Sequence, residues 1–334
     1  MPSFRVSVVI PTYNRKDSLL CCLESLRRQT LSLSEFEVIV VDDGSTDATG
    51  ETLRNSTWPF RLQYVFQQNS GPSQARNVGV RNASGEIIAF TEDDVEVRPD
   101  WLMIALAYFK DQSLALLEGR TVYSGTDKDV RRFEATPRHS FIPCNLFIKK
   151  DVFEKVGGYD PAFFDPRRKL YFREDADLGF RILEEGFVSR IAADVVTEHP
   201  SQFRSLSACV RHARRYVFDP LLYRKHPARF RQLIEVKEMF GLSIRRPQHY
   251  LSLLYAIWVV GLISYLIMGD STGAIGSALL KFVSSSLFRY KYQGAGALKL
   301  HRLDETLVFL AMPIIYLTAL IKGCFRFKSF GALL

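Results

Sequence analysis

A chain of 334 residues that is 47% hydrophobic and 24% charged has room for one large α/β domain plus an appendage, and is too apolar to be disordered. Its five cysteines (Cys21, Cys22, Cys144, Cys209 and Cys324) show no zinc-ligand or disulfide-framework spacing, so a reducing, cytoplasmic compartment is expected. The net charge of +8 is local: between Arg204 and Arg246 eleven Lys/Arg face three acids, an excess equal to the whole chain's and suited to the phosphates of nucleic acid or anionic lipid.

Met1 leads directly into an apolar strand-like run, with no secretory signal pattern. Residues 6–10 (VSVVI) and 38–41 (VIVV) are short β-branched runs, as expected of strands buried on both faces. Between them Leu19, Leu20, Leu23 and Leu26 recur at helical spacing, which predicts a strand–helix–strand unit. Residues 62–66 and 87–90 read as further strands. Polar, Gly-rich or acidic sequence follows these runs, notably Pro11-Thr12-Tyr13-Asn14, Asp42-Asp43-Gly44-Ser45 and Glu92-Asp93-Asp94. In open parallel sheets, loops at the carboxyl ends of the strands form the ligand crevice. The first domain is expected to span 1–203.

The basic stretch 204–249 interleaves its cations with aromatic and aliphatic residues, and Pro220 and Pro227 divide it into short helices. It reads as an amphipathic, helical membrane-interface segment. Residues 250–268 then carry no charge, and as a helix they would be about 28 Å long, the hydrocarbon thickness of a bilayer. A second apolar run, 306–321, contains Pro313, and 273–288 carries Lys281 near its middle, where insertion costs about 2.5–3.5 kcal/mol. The four basic residues of 289–302, against Asp270 alone in 269–272, fit a hairpin returning on the cytoplasmic side. Interfacial helices that never cross fit the same charges. Residues 250–334 are expected to be a hydrophobic helical membrane region, with the catalytic domain in the cytoplasm at the membrane.

Adjacent carboxylates such as Glu92-Asp93-Asp94 repel one another, so a cluster of them at a strand end calls for a cation or a basic partner. Oxygen ligands suit Mg2+ or Mn2+, which bridge to substrate phosphates. Taken in order, 6–15 (VSVVIPTYNR), 41–47 (VDDGSTD), 71–79 (GPSQARNVG) and 85–94 (GEIIAFTEDD) closely resemble glycosyltransferase family 2, over roughly residues 4–203. The resemblance implies the GT-A fold, a Rossmann-like α/β domain with a mostly parallel sheet and flanking helices. Here an α-helical membrane-associated region would follow it.

The resemblance further implies that Pro11, Thr12 and Tyr13 lie along the nucleotide base, that Asp43 hydrogen-bonds its edge, and that Arg76 and Asn77 close the nucleotide pocket. Asp94 matches the last acid of the family's DxD-like motif and is the expected metal ligand. Asp93 and Glu92 would support it or contact the ribose, Glu92 standing where the family commonly has Asp. Residues 171–178 (YFREDADL) resemble the acceptor-side motif, which makes Asp175 the general base and Glu174 a neighbour that positions acceptor or base. Acids there would also suit a helix N-terminus. His199 stands where the family often places a histidine that returns a ligand to the metal. Asn145 matches a segment bordering the donor sugar, while Cys144 beside it has no neighbour in sequence to activate it as a nucleophile.

The implied activity is Mn2+- or Mg2+-dependent transfer from a nucleoside-diphosphate sugar to a lipid-linked or glycan acceptor. It would proceed by a single, inverting displacement, in cell-surface polysaccharide or glycolipid synthesis and with no nucleic-acid partner. Two rivals use similar features. A nucleotidyltransferase would need a Gly-rich, basic phosphate loop where Pro11-Thr12-Tyr13-Asn14 stands. A non-catalytic membrane-bound scaffold would tolerate loss of a carboxylate, yet Asp94 and Asp175 are both in place.

Overall fold

The computed structural model describes residues 4–124, 139–200, 206–239, 242–245, 252, 255 and 303–332. Those up to 200 belong to one compact unit and those from 206 onward to a second.

In the first unit, β1 (Val6–Thr12) and β2 (Phe36–Asp42) are buried almost throughout, as their β-branched runs require of central parallel strands. α1 (Lys16–Arg27) joins them through a buried i, i+3, i+4, i+7 face of Leu19, Cys22, Leu23 and Leu26, on which Cys22 takes the place expected of Leu20. α2 (Thr49–Asn55), β3 (Arg61–Phe66), α3 (Pro72–Asn82) and β4 (Ile87–Phe90) continue the alternation. β5 (Glu96–Val97), α4 (Trp101–Tyr108), β6 (Leu114–Ser124), β7 (Leu146–Lys149) and α5 (Lys150–Lys155) follow. A small hairpin of β8 (Phe164–Asp165) and β9 (Leu170–Tyr171), then α6 (Glu174–Glu184), lead into β10 (Val188–Pro200). The main sheet has the order β3-β2-β1-β4-β7-β6-β10-β5. Its first four strands are parallel, but β7 is antiparallel to both neighbours and β5 to β10, so the sheet is mixed and parallel-rich.

The register positions the site. Thr12 lies opposite Asp42 and Val9 opposite Phe90, so 12–15, 42–45 and 91–94 leave the sheet at one edge. β10 reaches that edge only after a break in its pairing with β6: Ala192 is opposite Gly119 and Val196 opposite Arg120, with 193–195 bulged out. The bulge is anchored, since the Tyr108 hydroxyl donates to Asp194 (2.7 Å) and Asn145 Nδ2 to the Val195 carbonyl (2.9 Å). Beyond it, Glu198 pairs with Glu96 of β5 and His199 follows.

The second unit contains α7 (Leu206–Arg214), a 3-10 turn (Arg215–Phe218), α8 (Asp219–Lys225), α9 (Pro227–Arg229) and α10 (Leu303–Phe327). Pro220 and Pro227 stand in the first turns of α8 and α9, where a missing N–H costs nothing. The stretch expected to be helical to 249 also holds an antiparallel hairpin, β11 (Val236–Met239) with β12 (Leu242–Arg245). Leu242 and Ile244 alternate there with Ser243 and Arg245, a period of two hidden within a generally basic run. α10 packs on α7, α8 and the 3-10 turn, with Tyr216 and Tyr316 edge to face at 4.6 Å. Gly323 lies against the Val217 carbonyl, so close that any Cβ would collide with it.

Among the described residues no helix is long and apolar enough to cross a membrane, which leaves the expected transmembrane helix without support. The predicted span 250–268 lies outside the described residues except for Ser252 and Tyr255, and 273–288 lies wholly outside. The run 306–321 falls within α10, which also carries charges near both ends and buries one face inside its own unit.

Candidate functional site

β1 ends in Thr12, whose Oγ1 donates to Asp93 Oδ2 (2.8 Å) and whose carbonyl accepts from Asp43 N (2.9 Å). Asn14 sits in the left-handed region (φ 53°), which its short polar side chain tolerates. Its Oδ1 accepts from Thr46 N (2.7 Å) and Asp47 N (3.3 Å), stitching the first motif to the second. Tyr13 is left projecting, 38% exposed, with Lys169 Nζ 5.3 Å over its ring. Pro11 is half-buried.

Asp43 is buried, and its carboxylate accepts from Gln67 Nε2 (2.6 Å), Ser70 N (2.8 Å) and Gly71 N (2.9 Å). Gly71, at φ 87°, turns that last N–H onto the acid and opens α3, a backbone conformation that side chains disfavour. The expected contact with a nucleotide base thus falls on a carboxylate that already takes three N–H groups from its own fold.

Glu92, Asp94 and His199 each bring one ligand atom within 4.8 Å of the others. His199 Nε2 lies 3.4 Å from Asp94 Oδ1 and 4.0 Å from Glu92 Oε2. Its Nδ1 is 2.8 Å from the Pro200 carbonyl, which can only accept. A proton on Nδ1 would leave the Nε2 lone pair to a cation shared with the carboxylates. Donors around a six-coordinate ion at about 2.1 Å stand about 3–4.2 Å apart, so a small contraction lets all three share one divalent cation. Glu92 stands in this cluster beside Asp94, where the metal-supporting one of its two expected roles would place it.

The acids are not alone. Arg15 Nη1 lies 2.5 Å from Asp94 Oδ2 and 3.2 Å from Asp93 Oδ1. Burial works against the Arg15 charge, but the two aspartates hold its pKa above the usual value. Asp93 is pushed up to about 6, first by burial and then by Asp94 and Glu92, against the opposing pull of Arg15 and Thr12. Sequence reasoning missed Arg15. The signal was the basic partner that three consecutive acids call for, and the sequence did not say which of many cations it was.

Arg76 is buried, with Nη2 3.2 Å from Glu92 Oε1 and its guanidinium 5.5 Å from the Tyr159 ring centre. Its Nε and Nη1 have no hydrogen-bond partner among the described residues, which leaves two buried donors for an anion. Burial opposes its charge, while Tyr159, Glu92, Glu174 and Tyr171 keep its pKa raised. Asn77 faces elsewhere: it accepts from Tyr159 N and donates to the Tyr159 carbonyl, both at 2.8 Å. It clamps the backbone that carries the Arg76 platform.

Glu174 and Asp175 open α6, as acids at a helix N-terminus should. Glu174 is buried, and half-buried Asp175 accepts from Ala176 N (2.7 Å). Burial raises the Tyr159 pKa, and Asp175, Glu174 and Glu92 raise it further against Arg76. Glu174, Asp175 and Glu92 thus share one electrostatic neighbourhood around Tyr159. Asp177 is structural: it pairs with Arg181 (2.8 Å), which also donates to the carbonyls of Val156 and Gly158.

Asn145 is spent on the core. Its Oδ1 accepts from Trp101 Nε1 (2.9 Å), and its Nδ2 donates to the Arg120 (3.0 Å) and Val195 carbonyls. Its amide hydrogens and carbonyl cross-link α4, β6 and β10. Cys144 is buried, and burial pushes its thiol pKa up, the opposite of what a nucleophile needs.

The family model "Glycosyl transferase family 2" matches residues 7–177. Glycosyltransferase AglE of Haloferax volcanii is 29% identical over 211 residues, covering 59% of this chain and 67% of that protein. Validoxylamine A glucosyltransferase of Streptomyces hygroscopicus subsp. jinggangensis is 29% identical over 269 residues, covering 67% of this chain and 61% of that protein. The chain thus matches about two thirds of the length of these curated relatives. The solved structure of mannosyltransferase PcManGT from Pyrobaculum calidifontis, in complex with GDP-Man and Mn2+, is similar in fold. Its TM-score is 0.63 at 21% identity, over 96% of this chain and 87% of that one.

Proposed function

Because this chain belongs to glycosyl transferase family 2 and has a GT-A-like mixed α/β fold, we propose that it moves a sugar from a nucleoside diphosphate to a hydroxyl of a lipid-linked or glycan acceptor, with inversion. The observation that carries this reading is the meeting of Glu92, Asp94 and His199 at the edge where β1, β2 and β4 end.

Arg76 places a fixed positive charge and two uncommitted buried donors beside Glu92, where nucleotide phosphates would lie. Tyr13 offers an exposed aromatic face to the base, with Pro11 and Thr12 lining its approach. Asp94, Glu92 and His199 would hold a divalent cation, which would supply Lewis-acid compensation for charge on the departing diphosphate. An imidazole beside two carboxylates suits Mn2+ better than Mg2+, and the structural relative bound to GDP-Man and Mn2+ supports both donor class and ion. Asp175 takes the proton of the attacking hydroxyl, and Glu174 positions acceptor or base. The excess of cations between Arg204 and Arg246 supports an acceptor presented at the cytoplasmic face of an anionic membrane, as in polysaccharide or glycolipid synthesis.

The test is binding of UDP, GDP and dTDP to the whole chain with Mn2+, Mg2+ or chelator, with Asp94→Ala in parallel. Metal-dependent binding of one nucleotide, lost in the variant, is the expected result. A folded sample that binds none of them overturns the reading.

A further inference from the structure

α10 has two apolar faces. Met312, Tyr316, Leu320 and Cys324, four residues apart in turn, are buried inside the second unit. On the other side Ile314, Ile321 and Phe325 are 43%, 38% and 69% exposed. At 3.6 residues per turn these three fall within an arc of about 40°. Phe330, just past the helix, is also exposed and stands edge to face with Phe325 at 5.3 Å. Scattered single apolar side chains are ordinary on a water-facing surface, but an aligned stripe is not. Exposed Lys322, Arg326 and Lys328 lie among these residues, and the sequence carries no acid after Glu305.

We propose that this outer face of α10 is a docking surface for an anionic lipid bilayer, the helix lying in the plane of the membrane interface. Ile314, Ile321, Phe325 and Phe330 enter the boundary between headgroups and acyl chains, and Lys322, Arg326 and Lys328 meet the lipid phosphates. A helix that lies on the surface need not be both long and apolar enough to cross, and no described helix is. A second copy of the chain is a poorer occupant. A two-fold contact centred on the stripe would bring the same three cations of each copy together with no acid on the helix's outer half to offset them. The inference rests on the membrane-facing part of the proposed function and is independent of its chemistry.

The experiment is flotation of the full chain with vesicles of phosphatidylcholine alone or mixed with phosphatidylglycerol. Phe325→Ser and the double variant Lys322→Glu/Lys328→Glu are run beside it. The native chain is expected to float with the anionic vesicles. Phe325→Ser should weaken that binding roughly tenfold, and the charge reversal should abolish the preference for phosphatidylglycerol. Because these side chains are exposed, Mn2+-dependent nucleotide binding measured on the same samples should not change. That second readout separates failure of this surface from failure of the transferase reading. Equal flotation of the native chain and Phe325→Ser overturns the proposal. So does a concentration-dependent dimer that Phe325→Ser dissolves in the absence of vesicle binding, which would give the face to a second copy.

Discussion

The loop after β2 and the loop after β4 leave the same edge of the sheet with adjacent acids, and they handle the charge in opposite ways. Asp43 is met by two peptide N–H groups and a glutamine amide. Asp94 meets mobile side chains, the Arg15 guanidinium and the His199 imidazole, with Glu92 close by. Peptide donors are fixed by the fold, so they hold the Asp43 carboxylate in one orientation at the end of β2. Side-chain partners can swing away, so the charge around Asp94 can be handed to an incoming cation. An acid fastened by the backbone and an acid met by mobile side chains are told apart here by what satisfies them.

The widest gap should open with Asp94→Asn, which is expected to reduce metal-dependent transfer by about 10²–10³-fold or more. Its melting temperature should stay level or rise, since mutual repulsion of carboxylates is relieved. A large drop in stability would break the contrast. Asp43→Ala should do the reverse, costing about 3 kcal/mol of stability by stranding buried N–H groups. Loss of nucleotide affinity with an unchanged denaturation midpoint would instead support the base-binding role expected of Asp43 from the sequence.

A pH series sharpens the comparison next. Asp93, pushed up to about 6 chiefly by burial, is more readily protonated in the folded than in the unfolded chain. Its contribution to stability is therefore complete below about pH 4 and lost as pH rises through about 6. In chelator-treated protein, Asp93→Asn should raise the melting temperature at pH 7.5 and leave it unchanged at pH 4. An effect independent of pH would remove the charge from the explanation. The smallest effect is assigned to Arg15→Gln, which should tighten binding of Mn2+ alone by roughly severalfold, because a competing cation is gone. Weaker Mn2+ binding in that variant, measured by calorimetry, would make Arg15 a support of the site and not its placeholder.

Much of this site was legible because parallel strands place their loop residues by rule. Once VSVVI, VIVV and IIAF were read as strands, their polar successors had to share an edge. Acids and histidine at strand ends were visible for the same reason. What stayed hidden depends on three-dimensional register. Asn145 meets Trp101 across 44 residues and Arg15 meets Asp94 across 79, distances over which no local pattern carries information. Asn77 is also polar and near the crevice, yet its partner is the backbone of Tyr159, fixed by how α3 and the 156–159 turn pack. The β11–β12 hairpin escaped notice because cations interleaved with aliphatic residues suit a helix face as well as a strand.

The bulge of 193–195 in β10 has a consequence for parity. Side chains along a strand alternate between faces, so the face His199 occupies depends on whether the count of residues before it is odd or even. Three additional residues against β6 change that count, and Tyr108 and Asn145 lock the detour in place. Shortening or lengthening this stretch by one residue would turn the imidazole away from Asp94, whereas a change of two would preserve its side. Any chimera that borrows β10 from another family member has to carry the detour and its two anchors as a single cassette.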